Sequence, residues 1–138
     1  MGPPDLLEGL EVLVVEDEAD ARELIAMVLE HCGAKVVSVS SSSEAMQQLK
    51  QIKPDVIVSD IGMAGEDGYT LIRKVRELEQ TGSPHVPAAA LTAFAKREDR
   101  MRALAAGFET HVPKPVEPAE LANIVAKLAG RGGINVAK

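Results

Sequence analysis

Five times along this chain a short apolar run gives way to a longer segment of helical spacing, and few architectures accommodate that rhythm. The runs VLVV (Val12 to Val15), VVSV (Val36 to Val39), VIV (Val56 to Val58) and AAAL (Ala88 to Leu91) do not alternate apolar with polar residues. Continuous apolar runs of this length suit strands covered on both faces, as in a parallel sheet with helices above and below. A fifth run, FETHV (Phe108 to Val112), is weaker in composition and is placed by the rhythm.

The intervening segments carry apolar stripes at helical spacing: Leu24, Ile25, Val28 and Leu29; Ala45, Met46, Leu49 and Ile52; Leu71, Ile72, Val75 and Leu78; and Leu121, Ile124, Val125 and Leu128. The fourth helix has a thinner stripe of Met101, Leu104 and Ala105. Met27, Met46 and Met101 fall on these stripes and are expected in the core. Gly33, Gly107 and Gly130 stand where left-handed caps end helices, and SSSE (Ser41 to Glu44) has capping-box spacing. Strand and helix alternating five times predict a doubly wound α/β domain, a five-stranded parallel sheet with five helices and right-handed crossovers. Pro113 cannot donate to a ladder, so the fifth strand belongs at a sheet edge or ends before it.

At 138 residues the chain fits one domain. Residues 10–130 are expected to form it, with 1–9 as an N-terminal linker and 131–138 as a C-terminal tail. No run approaches the length of a membrane span, and MGPPDLLEGL lacks the basic start and apolar stretch of a secretory signal, so a cytoplasmic location is expected. The single cysteine, Cys32, reads as a buried structural thiol. A net charge of −6, basic residues mixed with acids, and aromatics at 2% argue against nucleic-acid binding.

In open parallel sheets ligands bind beyond the carboxyl ends of the strands. The first strand delivers Glu16 and Asp17 there, the third Asp60, the fourth Thr92 and the fifth Lys114, while the second offers only Ser40. Close carboxylates repel by roughly 1 to 4 kcal/mol per pair at about 4 Å, so a cation belongs among them. Hard oxygens with room for water suit Mg2+, which keeps sites open for phosphate oxygens. Asp60 is then a candidate nucleophile, because a carboxylate can accept a phosphoryl group as an acyl phosphate. Lys114 and Thr92 would serve the charged phosphoryl oxygens.

These segments resemble the receiver domain of response regulators, the phosphoacceptor module of two-component signalling, from about Leu10 to Ala129. The resemblance rests on VLVVEDE, VIVSDIGMAGEDGY, LTA and PKP in this order, each at a predicted strand end. It implies the flavodoxin-like strand order 2-1-3-4-5, which the pattern alone does not give. It implies phosphorylation of Asp60, with Asp60 itself among the metal ligands, Asp17 as the main side-chain metal ligand, Glu16 acting through water, and the Gly62 carbonyl completing the protein's share. It further implies a cis Lys114–Pro115 bond, inward turning of Thr92, and access left open by the small Ala93. The expected partners are a histidine kinase or histidine phosphotransfer protein, with a homodimer through the fourth helix, fifth strand and fifth helix as a further possibility. Direct contact with nucleic acid or membrane is not expected.

Two positions depart from the family pattern. Ala64 stands where many relatives have proline, and His111 stands at the switch position that commonly holds Tyr or Phe. A satisfied structural histidine is the simpler reading of His111. His31 and His85 read as surface residues without acid partners at ligand spacing. Competing readings are a pseudo-receiver that binds partners without phosphorylation, and a phosphatase of the haloacid-dehalogenase type. The latter needs a second aspartate two residues after the nucleophile, where this chain has Gly62. A signalling domain rather than an enzyme is therefore expected. The stretch from Leu91 to Leu121 resembles receivers attached to hybrid histidine kinases, and the downstream output is not encoded in these residues.

Overall fold

The computed structural model describes residues 4–62, 67–93 and 97–131. Met63 and Ala64, and with them the departure from proline, lie outside the described residues. The elements run β1 (Glu11–Val15), α1 (Ala19–His31), β2 (Lys35–Val39), α2 (Ser42–Leu49), β3 (Val56–Asp60), α3 (Gly68–Gln80), β4 (Ala88–Thr92), α4 (Arg97–Ala106), β5 (Thr110–Pro113) and α5 (Pro118–Leu128). All ladders are parallel, and the strand order is β2-β1-β3-β4-β5.

The two-residue period of the strands divides the core into two. Val12, Val14, Val58, Leu91 and Val112 meet Ile25, Leu29, Leu121 and Val125 of α1 and α5. Leu13, Val15, Ile57, Ala88 and Ala90 meet Ala45, Ile72, Val75 and Ala103 of α2, α3 and α4. β3 and β4 are buried along their whole length, as their continuous apolar runs require. Each fully buried Val, Leu or Ile contributes about 1.5 to 3 kcal/mol.

Local signals set the helix ends. Ser41 Oγ accepts from the Glu44 N–H at 3.1 Å while Glu44 Oε1 accepts from the Ser40 N–H at 2.8 Å. Gly33, Gly107 and Gly130 have φ of 100°, 128° and 87°.

Several expectations need correction. β2 is an outer strand, as the implied order requires, but Lys35 and Ser38 are exposed, so it is not covered on both faces as its apolar run suggested. β5 begins at Thr110 rather than Phe108, because the Phe108 N–H is spent on the Ala103 carbonyl closing α4. Of the two alternatives for Pro113 the first holds: it is inside β5, and β5 is the other edge. Met27 and Met101 are 61% and 56% exposed, not core, and Leu24 and Leu104 are exposed with them. In α4 the sheet side is taken by Ala103 and Ala106, small residues that leave a weak apolar pattern. Met46 packs against the core only in part.

The expected N-terminal linker also enters the body of the fold. Leu7 is fully buried, and its N–H donates to the Cys32 carbonyl at 2.8 Å. Gly33 makes room for this segment, since a Cβ there would stand 3.0 Å from Glu8 Cα. Arg131, expected to begin the tail, donates to the Leu6 carbonyl at 3.4 Å. Cys32 is buried as expected. Among the described residues no helix is long and apolar enough to cross a membrane.

Candidate functional site

Parallel pairing brings every strand's carboxyl end to one edge, and register sets the levels. Val15 pairs with Ser59, Asp60 with Leu91, and Thr92 with Pro113. Glu16, Asp60, Thr92 and Lys114 therefore arrive within a residue or two of the same height. The turn after β3 is held by Gly68: its N–H donates to the Ile61 carbonyl at 3.0 Å, and a Cβ there would run into the Asp60 carbonyl.

Lys114 Nζ lies 3.2 Å from Glu16 Oε1 and 3.2 Å from Asp60 Oδ2. Glu16 is fully buried, with Oε2 accepting from the Glu18 N–H at 3.1 Å. Arg22 braces the same turn by donating to the Glu16 carbonyl at 2.9 Å. Asp60 is nearly buried, and its Oδ1 accepts from the Gly62 N–H at 3.2 Å. Asp17 is exposed at the rim. Carboxylate oxygens of Glu16, Asp17 and Asp60 lie within 4.8 Å of one another.

The electrostatics follow from that crowding. Burial pushes the Glu16 carboxyl above its ordinary range; the Glu18 N–H opposes this, Asp60 adds to it, and Lys114 offsets part. For Lys114, burial alone would lower the ammonium's pKa, but the Asp60 charge and the hydrogen bonds to Glu16 and Asp60 prevail and hold it above its usual value. The pocket thus has one ammonium against three carboxylates. Such a set of hard oxygens, one exposed, suits a small divalent cation that keeps its waters.

The Lys114–Pro115 bond is cis, and the Lys114 N–H donates to the Thr92 carbonyl at 2.8 Å. Thr92 is buried and its Oγ1 has no hydrogen-bond partner among the described residues; the half-buried His111 has an Nδ1 in the same condition. Among the described residues that ring nitrogen is not satisfied, in contrast to the satisfied structural histidine expected. A cavity of about 300 Å3 opens before Asp60, bounded also by Gly62, Thr92, Ala93 and Lys114.

The chain matches the family described as the response regulator receiver domain over residues 12–126. It belongs to that family. The receiver is 42% identical over 119 residues to an uncharacterised 14.6 kDa protein of Leptolyngbya boryana, covering 86% of this chain and 89% of that one. It is 34% identical over 130 residues to the hybrid signal transduction histidine kinase D of Dictyostelium discoideum, covering 90% of this chain and only 8% of that much longer protein. Among solved structures it resembles the signal receiver domain of a histidine kinase from Syntrophus aciditrophicus, with a TM-score of 0.78, 30% identity, and coverage of 94% and 96% of the two chains. Its doubly wound sheet in the order 2-1-3-4-5 is thus the receiver fold, and its acidic cluster occupies the place where receivers bind Mg2+.

Sequence reasoning placed Glu16, Asp17, Asp60, Thr92 and Lys114 at strand ends, and the fold brings them together. It missed Tyr69, Asp99 and Arg102, which line the same cavity. The pattern offered no signal for them, because α4's periodicity does not say which side faces Asp60. It also missed a network at the opposite end of the sheet. His85 Nδ1 and Nε2 lie 3.0 and 2.9 Å from Glu79 and Glu109, and Arg76 pairs with both acids at 2.6 and 3.0 Å. His85 does therefore have acid partners, supplied by residues distant in sequence.

Proposed function

We propose that Asp60 takes a phosphoryl group from the phosphohistidine of a kinase or phosphotransfer protein in a Mg2+-dependent reaction, and that this changes which partners the receiver binds. The supporting observation is the convergence, at the floor of a cavity, of the nearly buried Asp60 carboxylate with Lys114 at 3.2 Å and the carboxylate oxygens of Glu16 and Asp17 within 4.8 Å. Asp17 and the Gly62 carbonyl would hold the metal directly and Glu16 would hold it through water. When bound, Mg2+ supplies positive charge against the phosphoryl oxygens.

The chain's own residues do the rest. Asp60 is oriented by the Gly62 N–H, so one oxygen is fixed while the other faces the cavity and Lys114. Lys114 offers its ammonium to a second phosphoryl oxygen, and the Thr92 hydroxyl, which has no partner among the described residues, donates to a third. Ala93 leaves the approach open. Phosphorylation adds about −1.5 to −2 charge, which Thr92 senses directly. With Thr92 drawn to the phosphoryl group, His111 on the neighbouring strand is released to repack, and the α4–β5–α5 surface changes with it. Met101 and Leu104, exposed on α4, give that surface an apolar face suited to a homodimer or a protein partner. Hydrolysis of the acyl phosphate resets the switch without making the receiver a conventional enzyme. We place the receiver at residues 10–130 together with the preceding segment that Leu7 anchors in its core, and read it as a module that serves a longer phosphorelay, as in the hybrid kinases.

Incubation with acetyl phosphate and Mg2+, followed by intact-mass measurement, tests this. One phosphoryl group should be gained by wild type and none by Asp60→Ala. An undiminished gain in the variant would refute it.

A further inference from the structure

One wall of the cavity before Asp60 has no part in the transfer described above. It is made by Tyr69 at the start of α3 and by Asp99 and Arg102 on α4. The guanidinium carbon of Arg102 lies 4.2 Å from the centre of the Tyr69 ring, and that ring is only 6% exposed. A buried ring beneath the planar guanidinium of the exposed Arg102 favours one position for its charge. Lys114 is committed to Asp60 and Glu16 at the cavity floor. Among the described residues, Arg102 is the other cation lining this space.

In phosphoryl transfer the attacking and leaving atoms stand roughly in line. Asp60 attacks from the nearly buried floor, so the leaving group departs toward the exposed end, where Arg102 is. We propose that Arg102, stacked on Tyr69, receives the departing carboxylate of small acyl phosphates and biases the receiver toward donors whose leaving group is an anion. This rests on the acceptor role of Asp60 proposed above. The chemistry separates donors cleanly. With acetyl phosphate, a bond forms between an Asp60 oxygen and phosphorus while the bond from phosphorus to the acyl oxygen breaks, its electron pair leaving on acetate. With phosphoramidate, the phosphorus–nitrogen bond breaks and the already protonated nitrogen departs as neutral ammonia. Arg102 has a charge to meet only in the first case. Asp99, in the same wall, works in the opposite direction.

Initial rates of phosphorylation with acetyl phosphate and with phosphoramidate, at saturating Mg2+, test the assignment. Arg102→Ala should slow the acetyl phosphate reaction about three- to tenfold, the size of one partly screened charge interaction, and change the phosphoramidate rate by less than about twofold. Asp99→Asn should raise the ratio of the two rates, and Arg102→Lys should restore part of it. An unchanged ratio in Arg102→Ala, whether both rates fall or neither does, overturns the role of Arg102 and leaves the acceptor reading intact. A wild type labelled by neither donor defeats the acceptor reading and this inference together.

Discussion

Lys114 lies 98 residues after Glu16, yet its ammonium sits 3.2 Å from that buried carboxylate and 3.2 Å from Asp60. It is the internal counter-ion of a site with excess negative charge, and in the proposed transfer it would meet the incoming phosphoryl group. Lys114→Met should slow phosphorylation of Asp60 by roughly a hundredfold, the usual cost of losing one donor to a developing oxyanion. Removing an ammonium also removes a competitor of the metal, so Mg2+ affinity measured by calorimetry should hold or increase. A variant that phosphorylates normally, or binds Mg2+ more weakly, contradicts this arrangement.

Thr92 carries a buried hydroxyl with no partner among the described residues. An unsatisfied polar group of this kind costs about 1 to 3 kcal/mol. Thr92→Val should therefore raise the urea midpoint of the unphosphorylated protein, by about 1 kcal/mol in stability. The same variant should bind beryllofluoride more weakly, because the hydroxyl is then missing from the occupied site. Equal or lower stability would mean that the hydroxyl is already satisfied.

Gly68 lies against the backbone of the acceptor turn, where a Cβ would collide with the Asp60 carbonyl and stand 2.9 Å from Ile61 Cα. Neither neighbour is a movable side chain. Gly68→Ala should cost about 1 to 3 kcal/mol, as overpacking does, and should also slow phosphorylation by shifting Asp60. Denaturant unfolding and the acetyl phosphate assay report the two effects separately.

Glu79 anchors the network at the far end of the sheet. Burial would raise its pKa, but the Val86 N–H, His85 and Arg76 prevail and hold the carboxyl below its usual value of 4.5. With the folded value depressed, its stabilisation is complete above 4.5 and is lost as pH falls through the lower folded value. Glu79→Gln should cost about 2 kcal/mol at neutral pH, and the gap to wild type should narrow as pH drops below that range. Chemical denaturation at a series of pH values gives the comparison; a gap constant down to strong acid would rule the linkage out.

Leu7 tests where the folded unit begins. Fully buried against α1 and α5, it should cost about 2 to 5 kcal/mol when replaced by alanine. If residues 4–9 are a mere tether, Leu7→Ala will unfold at the wild-type urea concentration.

The legible parts of this protein are those written in contiguous residues. VLVV, VIV and AAAL identify β1, β3 and β4 because a strand covered on both faces must be apolar without interruption. SSSE identifies the start of α2 because the capping hydroxyl and its acid are three residues apart. The acids of the site were legible by the same means, each standing immediately after, or at the end of, a readable strand. The exposure of Met27, Met101 and Leu104 was not legible. Helical period says which residues share a stripe, while the width of the covered face depends on which neighbours pack there.

The sequence by itself determined the alternation of strands and helices, their caps, and the chemical type of residue at each strand end, because those depend on backbone propensity and short spacing. Only the tertiary structure decided that Pro113 lies inside β5, that Leu7 joins the core, that Glu79, His85 and Glu109 meet, and that Arg102, stacked on Tyr69, lines the cavity before Asp60. Those relationships follow from which strands pair and how closely helices approach the sheet. They are settled by packing between segments far apart in the chain, which no local pattern records.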